Sequence, residues 1–137
     1  GPGSMTDRKI PGDRSYTADH EWIDIAPGAA TPDGPVRVGI TSVAVEALGD
    51  LVFVQLPEVG ETVSAGESCG EVESTKTVSD LIAPASGQIV EVNTAAVDDP
   101  ATIATDPYGA GWLYSVQPTA VGELLTASEY AGQNGLS

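Results

Sequence analysis

Residues 70–93, GEVESTKTVSDLIAPASGQIVEVN, decide the fold of this chain. Short runs of alternating β-forming residues are separated by glycine, and the whole stretch from Glu61 to Val97 lacks a helical period, which predicts β structure throughout. Gly66 lies ten positions before Lys76 and Gly87 lies eleven positions after it, each within a similar glycine-containing β segment. Two β halves joined at a central turn would place Lys76 at the tip of a hairpin.

Lys76 is unusual because basic residues are almost absent around it. From Tyr16 onward only Arg37 and Lys76 are basic, against 18 acidic residues. The ordinary interpretation of such a lysine is a solubilising surface residue. Here an enzyme that acylates one amine would meet no competing lysine in the folded body. Acylation would convert an ammonium group, with a pKa of about 10.4, into a neutral amide.

The overall charge excludes several classes of partner. The 137 residues include 20 acidic and 5 basic side chains, for a net charge of −15. Such a surface repels phosphate backbones and anionic lipid, so we expect neither nucleic acid nor a membrane as partner. No apolar stretch approaches the roughly 20 residues of a membrane-spanning helix. The charge favours partners with basic docking surfaces.

The chain divides into one domain with short ends. Gly1 to Ser4 is typical of the scar left by removal of an expression tag. Residues 5–15 are predicted to be a flexible tail, residues 16–130 a single domain, and residues 131–137 a frayed C-terminus. Hydrophobic residues make up 41% of the chain, which is enough for a globular core.

Local patterns predict the remaining elements. Two helices are expected, at opposite ends of the core. The first spans 41–48, with Thr41 as its cap and Gly49 as its end, and the second spans 119–130, with Thr119 as its cap. Strands are expected at 16–25, 36–40, 51–56 and 112–116, with a loop at 26–35 and turns with one short helical turn at 98–111.

Several motifs in order resemble the H proteins of the glycine cleavage system. They are YTADHEWI at 16–23, VGIT at 38–41, LGDLVFVQLPEVG at 48–60, ESTK at 73–76, APASG at 83–87, EVN at 91–93, DPYGAGW at 106–112 and EY at 129–130. The resemblance covers about residues 16–130. Biotin carriers usually flank the lysine with methionines, whereas Thr75 and Thr77 stand here. Lipoyl domains of 2-oxoacid dehydrogenases usually place an aspartate beside the lysine.

The resemblance implies a mainly β fold, a barrel-sandwich hybrid of the biotinyl/lipoyl type with flanking short helices and a C-terminal helix. It implies lipoate attached to Lys76 through an amide bond. The arm would take the aminomethyl group of glycine from glycine decarboxylase to aminomethyltransferase, and dihydrolipoyl dehydrogenase would then reoxidise it. The chain itself would be a carrier with no catalytic residue. Its further partners would be lipoate-attaching enzymes.

The resemblance also implies a surface cleft that shelters the loaded arm. Glu21 and Asp80 match acidic positions associated with that cleft in the family, and His20 is their neighbour in the HEW motif. The ordinary interpretation is that Glu21 and Asp80 are two of many solvated acids. The chain departs from the family at Val43, where histidine is common, at Thr75, where valine is common, and at Ala104 and Thr105, where asparagine often precedes DPYG.

Two other functional classes remain open from the sequence. The chain could be a biotin or acyl carrier, or an H-like protein that passes lipoyl groups to other proteins. Alternatively, Cys69 and His20, the only cysteine and the only histidine, could serve a small hydrolase or thiol enzyme, although an inert cysteine on a strand is the simpler interpretation. No metal-binding spacing is present. We expect a monomer in the bacterial cytoplasm.

Overall fold

Two antiparallel sheets and four short helices make up the described residues, 10–136, of the computed structural model. The elements are β1 (Ser15–Tyr16), β2 (Glu21–Ile23), β3 (Val36–Ile40), α1 (Ser42–Leu48), β4 (Leu51–Gln55), β5 (Thr62–Val63), β6 (Ser68–Ser74), β7 (Val78–Ile82), β8 (Ala85–Val92), α2 (Thr94–Asp98), α3 (Ala101–Thr105), β9 (Tyr114–Val121) and α4 (Ala127–Gln133). One sheet has the order β1-β2-β3-β9-β8-β5, and the other has the order β4-β6-β7. This confirms the mainly β class and is consistent with a barrel-sandwich hybrid, since neither sheet closes into a barrel.

The main core lies between the two sheets. Val54 and Val72 come from the small sheet and Val38, Ile89 and Val116 from the large one, and each is no more than 2% exposed. In β6 the buried Val72 alternates with exposed Glu71 and Glu73, as expected for a sheet buried on one face. The small sheet is therefore held rigidly on the large one by apolar burial.

A second, aromatic cluster joins the chain ends to the large sheet. Tyr16, Trp22 and Tyr130 are buried together, and Ile10 packs against them. The rings of Tyr16 and Tyr130 are stacked with centroids 5.1 Å apart. At Gly39 the Trp22 indole lies so close that an added Cβ would be only 2.6 Å from it. Glycine is therefore needed at this position of β3.

The first predicted helix is confirmed, together with both of its ends. The Thr41 hydroxyl accepts a hydrogen bond from the Ala44 amide and caps α1. Gly49 ends the helix with a φ of 83°, in the region that favours glycine. The strand predictions at 36–40 and 51–56 are also confirmed by β3 and β4.

The predicted helix at 119–130 is wrong at its beginning. Residues up to Val121 continue β9, where Val121 pairs with Ala85 of β8. The helix begins after Thr126, whose hydroxyl accepts from the Glu129 amide while the Glu129 carboxylate accepts from the Thr126 amide. This capping box satisfies two helix-end donors at once, which Thr119 cannot do from a strand. The last strand is accordingly longer than the predicted 112–116.

Three other predicted elements differ from the structure. The single strand expected at 16–25 is a pair, β1 and β2, because His20 adopts a φ of 70° and reverses the chain between them. The sequence predicts β structure up to Val97, but the residues from Thr94 onward form α2. Four helices therefore replace the expected two, although the short helical turn expected within 98–111 is present as α3.

The predicted ends lie partly outside the described residues. The predicted scar at 1–4, residues 5–9 of the predicted tail and Ser137 lie outside the described residues. Within the described part, the Arg14 guanidinium lies 4.7 Å from the Trp22 ring centroid, and α4 continues to Gln133. The domain boundaries at 16 and 130 stay a prediction.

Candidate functional site

Lys76 occupies the tip of the β6–β7 hairpin, in the three-residue connection 75–77. The Ser74 amide donates to the Thr77 carbonyl over 2.8 Å and closes the turn. The buried Ser74 hydroxyl oxygen accepts from the amides of Lys76 and Thr77, at 3.2 and 3.1 Å. One serine side chain therefore satisfies two backbone donors of the tip and fixes the Lys76 backbone.

A neighbouring turn braces the hairpin tip. The Thr75 amide donates to the Asp50 carbonyl over 3.0 Å, which ties the tip to the connection between α1 and β4. A Cβ added to Gly49 would lie 3.4 Å from Lys76 Cε, so the aliphatic stem of the lysine passes over this glycine. Lys76 is exposed, and the ion pair between Arg14 and Asp13 is the only one found between described residues. The amine is therefore presented to solvent on a supported stem.

A cleft of about 110 Å³ opens between β2, α1 and β7. The three residues predicted to form an arm cleft, His20, Glu21 and Asp80, all line it. Its apolar wall includes Ala47 and Leu48 of α1, which directly precede the glycine under the Lys76 stem. The fold thus brings Asp80 to the adjacent pair His20 and Glu21, which precede it by 60 and 59 positions, and places all three beside the lysine-bearing tip.

Glu21 lies deepest, with 2% of its surface exposed. One carboxyl oxygen accepts from the Thr17 hydroxyl at 2.9 Å, and the other accepts from the Ile82 amide at 3.0 Å. Burial raises the pKa of Glu21 to about 8, although both hydrogen bonds oppose this shift. Glu21 therefore joins β2 to β7 and can hold or release a proton near neutral pH.

His20 is tied to the terminal helix. Its Nδ1 lies 2.6 Å from the Tyr130 hydroxyl, which in turn lies 2.7 Å from the Thr41 hydroxyl. Burial lowers the pKa of His20, while the charge of Asp19 opposes the shift. The imidazole is therefore biased toward its neutral form, and its orientation is set by α4.

Asp80 is an exposed acid of the cleft, as is Asp19. Asp80 lies on β7, an edge strand of the small sheet, and pairs with Glu71 of β6. Unlike Glu21, it needs no conformational change to meet a ligand, because its side chain is already in contact with solvent.

The comparison with known proteins agrees with the motifs. The family model described as Glycine cleavage H-protein matches residues 14–134. This chain belongs to the glycine cleavage H-protein family. A relative from Beutenbergia cavernae, named Glycine cleavage system H protein, is 57% identical over 122 residues, which cover 89% of this chain and 94% of the relative. Relatives of the same name from Corynebacterium aurimucosum and Thermobifida fusca are 54% and 53% identical, and they cover 93% and 88% of this chain and 97% and 92% of their own lengths.

Membership of the H-protein family assigns the chain to the glycine cleavage system as a carrier component that interacts with the other components of that system. Val43 packs against the aromatic cluster of Tyr16, Trp22 and Tyr130. No helix within residues 10–136 is both long and apolar enough to cross a bilayer.

The two residues considered for thiol chemistry do not pair in this H-family fold. The Cys69 thiol donates to the Tyr114 hydroxyl at 3.6 Å, whereas the His20 ring is bound to Tyr130. Burial raises the pKa of Cys69, which disfavours the nucleophilic thiolate. Within the described part of the chain, no group of three or more potential ligands could hold a metal ion.

Three residues that organise the site were missed from the sequence. The sequence marks Tyr130 only as the end of the EY motif, and it gives Thr17 and Ser74 no role beyond their motifs. A serine two positions before a lysine in a polar turn is a local signal that could have indicated Ser74. The Tyr130 contact with His20 spans 110 positions, and no local pattern predicts it.

Proposed function

We propose that this chain is the lipoyl carrier of the glycine cleavage system, with lipoate attached to Lys76. In this role it carries the aminomethyl group of glycine from glycine decarboxylase to aminomethyltransferase and is then reoxidised by dihydrolipoyl dehydrogenase. The observation that carries the proposal is the position of Lys76, exposed at a braced hairpin tip beside a cleft lined by His20, Glu21 and Asp80.

The tip suits covalent attachment of an arm. The Lys76 amine, once deprotonated, attacks the carbon of an activated carboxyl group; an amide bond forms, the activating group leaves and the nitrogen loses a second proton. Ser74 and the Asp50 carbonyl hold the backbone of the tip during this step, so the flexible part is the side chain and what it carries. The attached lipoyl group supplies the disulfide chemistry, and the protein supplies the position.

The cleft suits a cationic group at the end of such an arm. Asp80 is exposed and can accept a charge-assisted hydrogen bond from an ammonium group. Glu21 already accepts two hydrogen bonds and lies behind it, so an approaching cation would favour its ionised form and lower its pKa. The apolar wall formed by Ala47 and Leu48 excludes water from one side.

The proposal makes the chain itself a non-catalytic carrier. Cys69 and His20, the only thiol and imidazole of the chain, are bound to different tyrosines and do not form a Cys–His pair. The partners would be the three enzymes named above and the enzymes that attach lipoate. The carrier is expected to act in the bacterial cytoplasm as a monomer.

Mass spectrometry tests the attachment directly. The protein is incubated with lipoate, ATP and a lipoate–protein ligase, and intact mass is followed by fragment mapping. One lipoyl increment on Lys76 is expected, absent in Lys76→Arg and retained in Lys9→Arg, the only other lysine of the chain. An increment on Lys9, or a biotinyl group on protein recovered from cells, would contradict the proposal.

A second assay tests the place of the carrier in the system. Lipoylated protein is combined with glycine decarboxylase, aminomethyltransferase and dihydrolipoyl dehydrogenase, and release of carbon dioxide from glycine is measured. Turnover should require the lipoylated wild type and be absent with Lys76→Arg. Transfer of lipoyl groups to other proteins without any glycine turnover would instead support the relay function.

A further inference from the structure

The outer face of the small sheet carries exposed apolar side chains directly behind Lys76. Phe53 of β4 and Val78 of β7 are each paired with Glu73 of β6, so the three side chains form one row on one face of the sheet. Phe53 is 49% exposed and Val78 is 55% exposed. Val78 follows Lys76 by two positions, which places the row immediately behind the hairpin tip.

Acidic side chains accompany this apolar row. Glu73 lies between Phe53 and Val78, and Glu71 is the next outward-facing residue of β6. Apart from Lys76, no strand of this sheet or its connecting hairpin carries a basic residue. We call Phe53, Glu71, Glu73 and Val78 the outer hairpin face. A partner that covers it must offer apolar surface with basic side chains around it.

We propose that the outer hairpin face docks the enzyme that acylates Lys76, through an apolar recess on that enzyme ringed by arginine and lysine side chains. The inference rests on the proposed attachment of lipoate to Lys76. It extends that proposal by assigning a binding surface to one of its partners.

The reach of the lysine decides which partner fits this surface. An unmodified lysine extends no further than its own side chain, so the acylating enzyme must bring its active site onto the hairpin tip. An enzyme that reacts with the end of the completed arm can dock farther away. The row of Phe53, Glu73 and Val78 lies beside the tip, since Glu73 precedes Lys76 by three positions and Val78 follows it by two, so it suits the partner that must come closest.

The cleft borders the outer hairpin face at Asp80, which pairs with Glu71, while the other cleft residues of this sheet lie on its opposite face. Val72 and Ser79, which line the cleft, point to the opposite side of β6 and β7 from Glu73 and Val78. An enzyme on the outer hairpin face therefore leaves the wall formed by Val72 and Ser79 open to the new arm. In such an interface the apolar row would supply affinity, while the acids would speed encounter with a basic partner.

Matched substitutions test the outer hairpin face. The double variant Phe53→Thr/Val78→Thr reduces the apolar surface and places β-branched threonine, which favours strands, at both positions. Glu73→Gln removes one charge. The controls are Val90→Thr, at a valine 40% exposed on β8, and Glu91→Gln beside it. The measured quantity is kcat/KM for lipoylation by a lipoate–protein ligase with lipoate and ATP, followed by intact mass.

We expect kcat/KM to fall about tenfold in the double variant. For Glu73→Gln we expect a fall of about threefold that disappears at high salt. The controls should stay within about twofold of wild type, as typical for near-neutral positions. Urea unfolding checks that each variant is folded. If the double variant is not folded, Val78→Thr alone, which nearly keeps the side-chain volume, replaces it, and its kcat/KM for lipoylation is expected to fall about threefold.

A second readout separates this partner from the others. Each variant is lipoylated to completion and assayed for glycine turnover with the three system enzymes, where a rate equal to wild type is expected. Equal lipoylation rates for variants and wild type would overturn the inference, as would a loss of glycine turnover in the fully lipoylated double variant. Wild-type dimers that the double variant abolishes in sedimentation would assign the face to a second copy instead. Failure of wild-type Lys76 to accept lipoate would reject the proposed function itself.

Discussion

The Tyr130 hydroxyl lies 2.6 Å from His20 Nδ1 and 2.7 Å from the Thr41 hydroxyl, so the terminal helix is joined to the cleft and to the cap of α1 by one buried phenol. Tyr130 is fully buried. Because the Tyr130 hydroxyl contacts both His20 and Thr41, which lie in different parts of the fold, the position of α4 determines the orientation of the His20 ring.

Tyr130→Phe should destabilise the fold and release His20. The variant keeps the aromatic packing but leaves two partners of the hydroxyl unsatisfied, which typically costs about 1–3 kcal/mol. Urea unfolding at pH 7 measures the loss, and the NMR resonances of the single imidazole report its environment. Thr41→Ser, which keeps both the cap and the contact with Tyr130, should lose less stability. Equal unfolding midpoints for Tyr130→Phe and wild type would show that the hydroxyl network contributes nothing.

Glu21 should make stability depend on pH in a direction unusual for an acid. Its pKa is raised from 4.5 to about 8 in the folded state. Between these values the folded protein binds more protons than the unfolded chain, so the contribution is complete below pH 4.5 and is lost as pH rises toward 8. Unfolding free energies at pH 5 and pH 8.5 measure the loss, which should be about 2–4 kcal/mol.

Glu21→Gln provides the matched comparison for that prediction. The amide can still accept from the Ile82 N–H and can donate to the Thr17 hydroxyl, but it does not titrate. The stability of the variant relative to wild type should therefore improve from pH 5 to pH 8.5. His20, with a lowered pKa, contributes the opposite slope at lower pH in both proteins and cancels in the difference. Parallel pH profiles would contradict the raised pKa.

The residues near Lys76 were the most predictable part of the molecule. A glycine-punctuated β pattern on both sides of a polar turn predicts a hairpin, and the cap at Thr41 with Gly49 predicts α1, because these signals depend on neighbours within a few positions. The placement of His20, Glu21 and Asp80 around one cleft came from the resemblance to the family. No local signal indicates that the Glu21 carboxyl would bind the Ile82 amide, since that contact depends on how two sheets pack.

The C-terminal error has an equally physical origin. Thr119 and Thr126 are both threonines that precede residues compatible with a helix, so propensity alone cannot choose between them. Strand β8 pairs with β9 as far as Val121, so Thr119 lies in a strand. Glu129 completes a capping box only with Thr126, so the helix begins there. Pairing across a sheet thus overrides a weak helical preference.

Thr126→Ala and Thr119→Ala should separate the true cap from the one expected from the sequence. Loss of the Thr126 hydroxyl removes one half of the capping box and should cost about 1 kcal/mol of unfolding free energy. Thr119 is exposed on β9 with one contact of 3.3 Å to the Ser86 carbonyl, so its replacement should cost about 0.5 kcal/mol or less. Urea unfolding of the two variants in parallel measures both values. The reverse order of the two losses would contradict the position of α4.

Ser74→Ala should loosen the hairpin tip and slow modification of Lys76. The hydroxyl oxygen accepts from the Lys76 and Thr77 amides and is buried, so its removal should cost about 1–2 kcal/mol. Hydrogen exchange at these two amides should accelerate, and lipoylation should slow because the amine is less fixed. Ser68→Ala, at an exposed serine of β6, is the control. Unchanged exchange at both amides would show that backbone pairing alone holds the tip.

Asp80→Asn should weaken the carrier without affecting its loading. Asp80 lines the cleft from β7, four positions after Lys76, and lies outside the row of Phe53, Glu73 and Val78, so we expect its charge to act on the arm and not on the attaching enzyme. An exposed carboxylate that pairs with an ammonium group contributes about 0.2–1 kcal/mol, so glycine turnover by the lipoylated variant should fall about two- to fivefold. Lipoylation rates should equal those of wild type. Asp98→Asn, at an exposed acid at the end of α2, should leave both rates unchanged. If Asp80→Asn instead slows lipoylation and spares glycine turnover, Asp80 belongs to a docking surface rather than to the arm cleft.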